Sequence, residues 1–207
     1  MRRRIVLFIM ICLPILAVRA QETPNEKQAR RIFNQAYNQV FGEQGASLTY
    51  DVNIIGIYKT HGTIWYKGKK QKFIDERVNT WNDGKTAYMA FRKKKTVEIH
   101  DANSDKKDKY SGRFKFTLDD FTYHIEKDKD ELLLTLKQKK HAKGSIKEVK
   151  AWVDKKNYVP KRLRIKVAII WTTVNISDFH SGGISDDLFI FPREKFKDWK
   201  FSDKRKD

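Results

Sequence analysis

Cysteine is nearly absent from this chain of 207 residues, and its single copy, Cys12, lies in an apolar stretch near the N-terminus. That stretch, Ile5–Leu16, follows the basic start Arg2–Arg4 and precedes Val18-Arg19-Ala20, which suits a cleavage site. A basic start, a short apolar run and a small-residue exit are typical of a signal peptide. The run is shorter than the roughly 20 apolar residues that span a bilayer. We therefore predict that residues 1–20 form a cleaved signal peptide.

Cleavage there would leave residues 21–207 without cysteine, which excludes disulfides, thiol catalysis and cysteine metal sites. Met10-Ile11 before Cys12 does not match the small residue that bacterial lipidation requires, so we interpret Cys12 as apolar filler. An uncleaved N-terminal anchor is the alternative. The rest of the chain has no Gly-, Ser- or Pro-rich linker, no internal repeat and no second long apolar run. We predict a single domain over 21–207, long enough to fold around a core without disulfides.

Catalytic patterns are scarce as well. The histidines do not have the spacing of a helical or hairpin metal site, and neither a Gly-x-Ser-x-Gly elbow nor a Gly-rich phosphate loop occurs. His124 and Glu126 share one strand face, which is a weak metal pair. Asp119-Asp120 and Asp186-Asp187 are neighbours in sequence, whereas acid–base catalysis needs two carboxylates held across a cleft. We predict a binding protein rather than an enzyme, with no cofactor and no metal.

Acidic residues are few relative to basic ones, 26 against 44, which gives a formal net charge of +18. Removal of residues 1–20, with four arginines and no acids, would leave +14. Such a charge favours acidic partners. Because export argues against nucleic acid, anionic membrane surfaces and acidic proteins are the remaining candidates, and a solvated surface without a partner is the alternative. The most basic segments are Arg92, Lys93, Lys94 and Lys95, and the run Lys137–Lys143.

One helix is predicted near the start of the mature chain. From Lys27 to Phe41, apolar residues recur at steps of three and four and would form one stripe, and Gly42 is a natural stop. Gln21–Glu26, polar and with a proline, is predicted to be a tail.

The remainder is predicted to form about nine or ten antiparallel strands. Thr86–Phe91 and Thr96–Ile99 would pair around the basic segment Arg92–Lys95, and Phe121–Ile125 would pair with Leu132–Leu136. In the next alternating run, Leu163, Ile165, Val167 and Ile169 would share one face of a strand, opposite Arg162, Arg164 and Lys166. The tail Lys200–Asp207 is predicted to fray. This pattern favours a sandwich or barrel with the helix as its lid. Its strand aromatics could be plain core or the lining of a cavity.

Several motifs in order resemble LolA-type outer-membrane lipoprotein carrier proteins. They are Gly62–Gly68 (GTIWYKG), Lys72-Phe73, Thr80–Thr86 (TWNDGKT), Tyr158-Val159-Pro160 and Ile184–Phe191 (ISDDLFIF). The resemblance implies an α+β, mainly antiparallel fold: an unclosed β-barrel or strongly curved sheet, with an N-terminal helix as a lid over an apolar cavity.

The function implied by this resemblance is that of a monomeric periplasmic carrier. It would bind the acyl chains of lipoproteins or lipids, receive them from an inner-membrane lipoprotein-releasing transporter and carry them to an outer-membrane acceptor. The alternative is a regulatory or assembly module of the same fold that binds an envelope protein or senses lipid without shuttling. Side chains that fill the cavity themselves would favour that alternative.

Two groups of candidate site residues follow. The basic residues Arg92, Lys93, Lys94 and Lys95 would meet an acidic partner or lipid head groups. The cavity would be lined by Ile32, Phe33, Trp65, Phe73, Tyr88, Tyr123, Leu134, Ile165 and Val167.

The chain also departs from the family pattern. Gly68 stands where relatives often carry the arginine linked to lid closure and cargo release, and Gln71 stands where they carry an aromatic residue. The stretch from Asp101 to Phe114, charged and short, replaces their middle apolar helix. The resemblance therefore implies a reduced lid.

Overall fold

The computed structural model describes residues 22–54, 58–103 and 117–205. The predicted signal peptide and residues 104–114 of the charged middle stretch lie outside these ranges. In the described residues, no helix has both the length and the apolar character needed to cross a membrane.

The helix, α1, runs from Pro24 to Phe41 and ends at Gly42 as predicted, but it begins three residues before Lys27. Thr23 caps its N-terminus: the Thr23 hydroxyl accepts from the Glu26 amide at 3.2 Å, and the Glu26 carboxylate accepts from the Thr23 amide at 2.8 Å. This reciprocal capping box, with proline in the first turn, starts a helix. The prediction of a tail was therefore wrong for residues 24–26.

Twelve strands follow instead of nine or ten. They are β1 (Ala46–Ile54), β2 (Tyr58–Lys67), β3 (Lys70–Asp75), β4 (Val78–Asn82), β5 (Thr86–Phe91), β6 (Thr96–Asp101), β7 (Phe121–Asp128), β8 (Glu131–Gln138), β9 (Ile146–Asp154), β10 (Pro160–Val167), β11 (Ile170–Ser181) and β12 (Lys200–Asp203). Both predicted hairpins, β5–β6 and β7–β8, are confirmed.

All twelve strands form one sheet, in the order β12-β6-β5-β4-β3-β2-β1-β11-β10-β9-β8-β7. Its neighbours are antiparallel except β12, which pairs with β6 in parallel. The ends of this order, β12 and β7, do not pair with each other, so the sheet is unclosed. The predicted architecture, an unclosed curved sheet with an N-terminal helix over it, is confirmed. The prediction of a frayed tail was wrong for Lys200–Asp203.

Residues paired across neighbouring strands lie on the same face of a sheet. We call the face that packs against α1 the inner face and the opposite one the outer face. Helix α1 starts at the β7 edge, where the Asn25 side chain donates to the Ile125 carbonyl at 2.8 Å and accepts from its amide at 3.0 Å. Its C-terminal part packs near β1 and β2. The helix therefore crosses the inner face.

Under the N-terminal half of α1, the inner face is densely packed. Ala29, Ile32 and Ala36 pack there with buried residues of β7, β8 and β9. Leu134 and Leu136 on β8 have no exposed surface, and Ile32 is 1% exposed. These contacts fasten the helix to the sheet through apolar burial.

The outer face of β4 to β6 is covered by the C-terminal segment, residues 184–203. Phe191 stacks on Tyr88 with ring centroids 4.4 Å apart, and both Phe191 and Phe196 contact Trp81 edge-on. Asp186 fixes the start of the segment through ion pairs to Lys67 at 2.9 Å and Lys70 at 3.0 Å. The C-terminal segment is thus part of the core.

Candidate functional site

The inner face is less well covered beyond the first half of α1. There several apolar side chains of β10, β11, β1 and β3 are only partly buried. They face the same side as the helix because each is paired in register with an inner-face neighbour, as Leu163 is with Val174 and Tyr50 with Ile176. We call this surface the inner groove, and it is formed by Val52, Phe73, Leu163, Ile165, Val167, Val174 and Ile176.

A row of aromatic rings borders the groove along α1. Phe33, Tyr37 and Phe41 are four residues apart on the helix, and neighbouring rings lie 6.3 and 4.6 Å apart. Phe41 then contacts Tyr66 of β2 at 4.7 Å. Tyr37 and Phe41 remain 37% and 38% exposed, which is unusual for rings that border a core. The row therefore presents apolar surface that the described residues leave exposed.

Two tyrosines on the inner face have a pKa above the ordinary value. Burial raises the pKa of Tyr66, and the neighbouring Tyr37 raises it further. Burial likewise raises the pKa of Tyr50, helped by Asp75. The Tyr50 hydroxyl is buried and finds no hydrogen-bond partner in the described part of the chain. This buried donor is therefore unsatisfied, although the Asp75 carboxylate is near enough to raise its pKa.

Seven of the nine predicted cavity residues lie on the inner face, and they fall into two groups. Ile32, Tyr123 and Leu134 are fully buried in the packed half. The partly buried residues are Phe33, Phe73, Ile165 and Val167.

The other two, Trp65 and Tyr88, lie on the outer face. The register pairs Trp65 with Lys72, Lys72 with Trp81, and Trp81 with Tyr88, so all four form one outer row. Tyr88 packs with the C-terminal segment, and Trp65 lies under the Lys72 amine, which is 5.1 Å from its ring centroid. Ile169, predicted to continue the strand alternation of Leu163, Ile165 and Val167, is in the turn after β10 and is 87% exposed. That prediction was wrong, because the strand ends at Val167.

Sequence patterns did not single out Val174, Ile176, Tyr50 or Tyr66 as site residues. A signal existed for the first two, because Val174 and Ile176 alternate with Thr173, Asn175 and Ser177. Such alternation marks one face of a strand.

The basic residues Arg92–Lys95 form a short 3-10 turn between β5 and β6, with all four side chains exposed. Lys95 adopts a left-handed conformation (φ 47°), and its carbonyl accepts from the Lys200 amide at 3.0 Å. Arg92 reaches the Asn79 side chain at 3.4 Å. This turn is thus held by β12 and presents Lys93 and Lys94 to solvent.

The carboxylates considered for catalysis are separated and engaged elsewhere. Asp119 accepts from Arg30 at 3.0 Å, and Asp186 is paired with Lys67 and Lys70. His124 and Glu126 are exposed on β7. Across residues 22–54, 58–103 and 117–205, no three His, Asp or Glu side chains come together as a metal site would need.

Comparison with known proteins gives likeness at the level of fold. No protein-family model and no curated protein sequence matches the chain. An uncharacterised conserved protein from Thermus thermophilus superposes with a TM-score of 0.58 at 9% identity, over 86% of this chain and 99% of that one. MucB superposes with a TM-score of 0.50 at 9% identity, over 81% of this chain and 64% of MucB, so this chain spans less than two thirds of MucB.

A LolA superfamily protein from Nitrosomonas europaea also matches, with a TM-score of 0.38 at 10% identity, over 80% of this chain and 98% of that one. The architecture predicted from the motifs, an unclosed sheet with an N-terminal helix across it, is confirmed. At sequence identities near 10%, these matches show similarity of fold alone.

Proposed function

We propose that this chain is a periplasmic carrier that binds the acyl chains of lipoproteins or lipids in the inner groove and carries them toward the outer membrane. The observation that carries this proposal is the inner groove itself. Its side chains are apolar and face α1, yet they remain partly exposed. Burying a methylene group is worth roughly 0.8 kcal/mol, so an acyl chain laid on this surface would gain substantially.

A carrier is physically required for such cargo. Three acyl chains of about 16 carbons represent on the order of 30 kcal/mol of burial free energy, so their unassisted release into water is negligible. The carrier must bind acyl chains slightly more tightly than its donor does and less tightly than its acceptor does. A shallow, half-covered groove suits that role better than a closed cavity. The same proposal has three further parts: the chain is exported by its predicted signal peptide, it receives cargo from an inner-membrane transporter, and it delivers cargo to an outer-membrane acceptor.

The sharpest test compares two adjacent residues of β3. Phe73 lies in the inner groove and Ile74 on the outer face, and both are partly buried. We expect Phe73→Glu to weaken binding of a fluorescent triacylated lipopeptide at least tenfold, since a carboxylate would be placed against acyl chains. Ile74→Glu should lower the melting temperature similarly and leave binding intact. Equal loss of binding in both variants would contradict a site on the inner face.

A second candidate function rests on the packed half of the inner face. Ile32, Leu134 and Leu136 fill it with the chain's own side chains, which leaves less room for cargo. This favours a module that binds an envelope protein or senses lipid without transporting it. Native mass spectrometry of protein purified from its own periplasm separates the two. Near-stoichiometric acyl lipid or lipopeptide supports the carrier, whereas an apo mass that takes up no added lipopeptide supports the module.

A further inference from the structure

The turn between β10 and β11 exposes an apolar pair. Ile169 is 87% exposed and Ile170 is 44% exposed, and Ala168 before them adopts a left-handed conformation (φ 53°). Tight hairpin turns favour Asn, Asp and Gly, which tolerate such backbone angles and are polar or small. Single exposed apolar residues are common, but here two neighbouring isoleucines, one in the turn and one at the start of β11, both expose apolar surface to water.

A tryptophan surrounded by cations follows directly on the outer face. Trp171 is paired in register with Lys166, whose amine lies 5.8 Å from the ring centroid. The Arg164 guanidinium lies 4.9 Å from the same ring and the Lys150 amine 6.0 Å. The acidic neighbour in this group is Glu148, which is 3.9 Å from Lys150. The group is therefore net positive.

The arginines of this group have unused donors. The Nε atoms of Arg162 and Arg164 are buried and lack hydrogen-bond partners within the described ranges. The Arg162 guanidinium stacks on Trp152 at 4.0 Å. Because the Nε atoms are buried, a lipid phosphate would be bound by the terminal nitrogens of these guanidinium groups.

A basic loop lies beside the isoleucine turn. The Ala168 amide donates to the Ser145 carbonyl at 3.1 Å, which places the turn against the loop between β8 and β9. That loop carries the exposed Lys140 and Lys143, and Lys139, which bonds the Asp119 carbonyl. Asp119 and Asp120 are the acids near it, and Arg30 already pairs with Asp119. The loop that meets this turn thus adds basic residues to the same end of the sheet.

We propose that this end of the sheet binds an anionic phospholipid surface. Ile169 and Ile170 enter the acyl boundary, Trp171 lies at the level of the head groups, and the surrounding lysines and arginines bind lipid phosphates. This order of apolar, aromatic and cationic groups matches the layers of a membrane interface. A protein partner would instead require a matching apolar pocket ringed by carboxylates. The cations around Trp171 are on the face opposite the inner groove, whereas Ile170 is paired in register with Val167 of the groove. The variant of Arg164 and Lys166 therefore tests this inference separately from the proposed cargo function.

The first test is flotation with vesicles of phosphatidylethanolamine and phosphatidylglycerol, compared with phosphatidylcholine alone. We expect the protein to bind the anionic vesicles at least tenfold better. Ile169→Ser with Ile170→Ser should reduce that binding about tenfold. The matched control is Ile190→Ser, an isoleucine 64% exposed in the C-terminal segment, which should leave binding unchanged. Equal binding to both vesicle types, or no binding to either, overturns the proposal.

The cations around Trp171, which are Lys150, Arg164 and Lys166, are tested with a control variant that loses the same number of charges elsewhere. Arg164→Gln with Lys166→Gln should lower the vesicle partition coefficient about 10- to 30-fold, in proportion to two lost cations. Lys155→Gln with Lys156→Gln removes the same charge from the opposite end of the β9–β10 hairpin and should lower it less than threefold. If both pairs lower it equally, net charge rather than this surface drives binding, and the proposal fails. Melting temperatures identify any variant that is merely unfolded.

Insertion can be measured directly. In a Cys12→Ser background, Ile169→Cys labelled with an environment-sensitive fluorophore should shift to the blue on anionic vesicles and be quenched by brominated lipid. Ile190→Cys labelled in the same way should show neither effect. A shift at position 169 no larger than at 190 means that the turn stays in water, which overturns the insertion of Ile169 and Ile170.

Discussion

The rings of Tyr50 and Phe73 lie parallel on the inner face, with centroids 5.5 Å apart and planes inclined by 10°. Phe73 belongs to the inner groove, so the stacked Tyr50 ring lies beside it with a hydroxyl that is unpaired within the described chain. A buried donor without a partner costs free energy in the folded protein. We predict that cargo binding satisfies this donor, with the ester or amide carbonyl of a bound acyl group accepting from it once the side chains that bury the hydroxyl move aside.

Tyr50→Phe tests that inference. Because the hydroxyl has no partner to lose, the free energy of unfolding should stay the same or rise by up to about 1 kcal/mol. Affinity for a lipopeptide should fall about 2- to 10-fold, the worth of one hydrogen bond. Chemical denaturation and a fluorescence titration measure the two effects. Tyr123→Phe is the stability control, since the Tyr123 hydroxyl donates to the Leu118 carbonyl at 2.9 Å and its loss should destabilise. An unchanged lipopeptide affinity in Tyr50→Phe would count against the inferred bond.

The capping box of α1 provides a prediction about the lid. Thr23→Ala removes the side chain that accepts from the Glu26 amide, which should lower the free energy of unfolding by about 1 kcal/mol. Gln28→Ala, at an exposed position of the same helix, should have little effect. Denaturant unfolding of both variants provides the comparison. Equal stability of the two would mean that the tertiary contacts of α1 hold its first turn without the cap.

The helix and both predicted hairpins could be predicted from the sequence, because the spacing of apolar and turn residues within one segment specifies each of them. The start of α1 at Pro24 could also have been predicted, because Thr23 and Glu26 have the spacing of a capping box and Pro24 suits the first turn of a helix. The turn at Ala168-Ile169 could not be predicted in this way. It has no Gly, Asn or Asp, and the apolar alternation of β10 therefore predicted a strand that continues through Ile169.

Which face of a strand is the inner one cannot be read from alternation alone. Trp65 and Tyr88 alternate correctly within β2 and β5, but the inner face of β2 carries Ile64 and Tyr66. Tyr88 lies on the outer face because it stacks there on Phe191 of the C-terminal segment, about 100 residues away in sequence. The parallel pairing of β12 with β6 is equally distant in sequence. Such contacts follow from the fold and leave no local periodicity.

The basic turn Arg92–Lys95 remains a predicted contact for acidic partners or lipid head groups. Replacing the four residues with glutamine should reduce association with phosphatidylglycerol vesicles at about 0.05 M salt and have little effect at about 0.5 M, where exposed charges are screened over about 4 Å. Lys93→Arg with Lys94→Arg retains the charge and should bind normally. If the glutamine variant binds like the parent at low salt, the turn is a solvated tip.

Acid should weaken the attachment of the C-terminal segment through Asp186. Hydrogen bonds from Lys67 and Lys70 lower the pKa of this carboxyl below its ordinary value of 3.8. Since the pKa is depressed in the folded state, the ion pairs contribute fully above 3.8, and their contribution is lost as pH falls through the lower, folded value. Asp186→Asn should therefore melt below the parent at pH 7 and match it near pH 2. Asp187→Asn, at the neighbouring exposed carboxyl, should melt like the parent across that range. A gap between Asp186→Asn and the parent that persists at pH 2 would show that the carboxylate acts through something other than its charge.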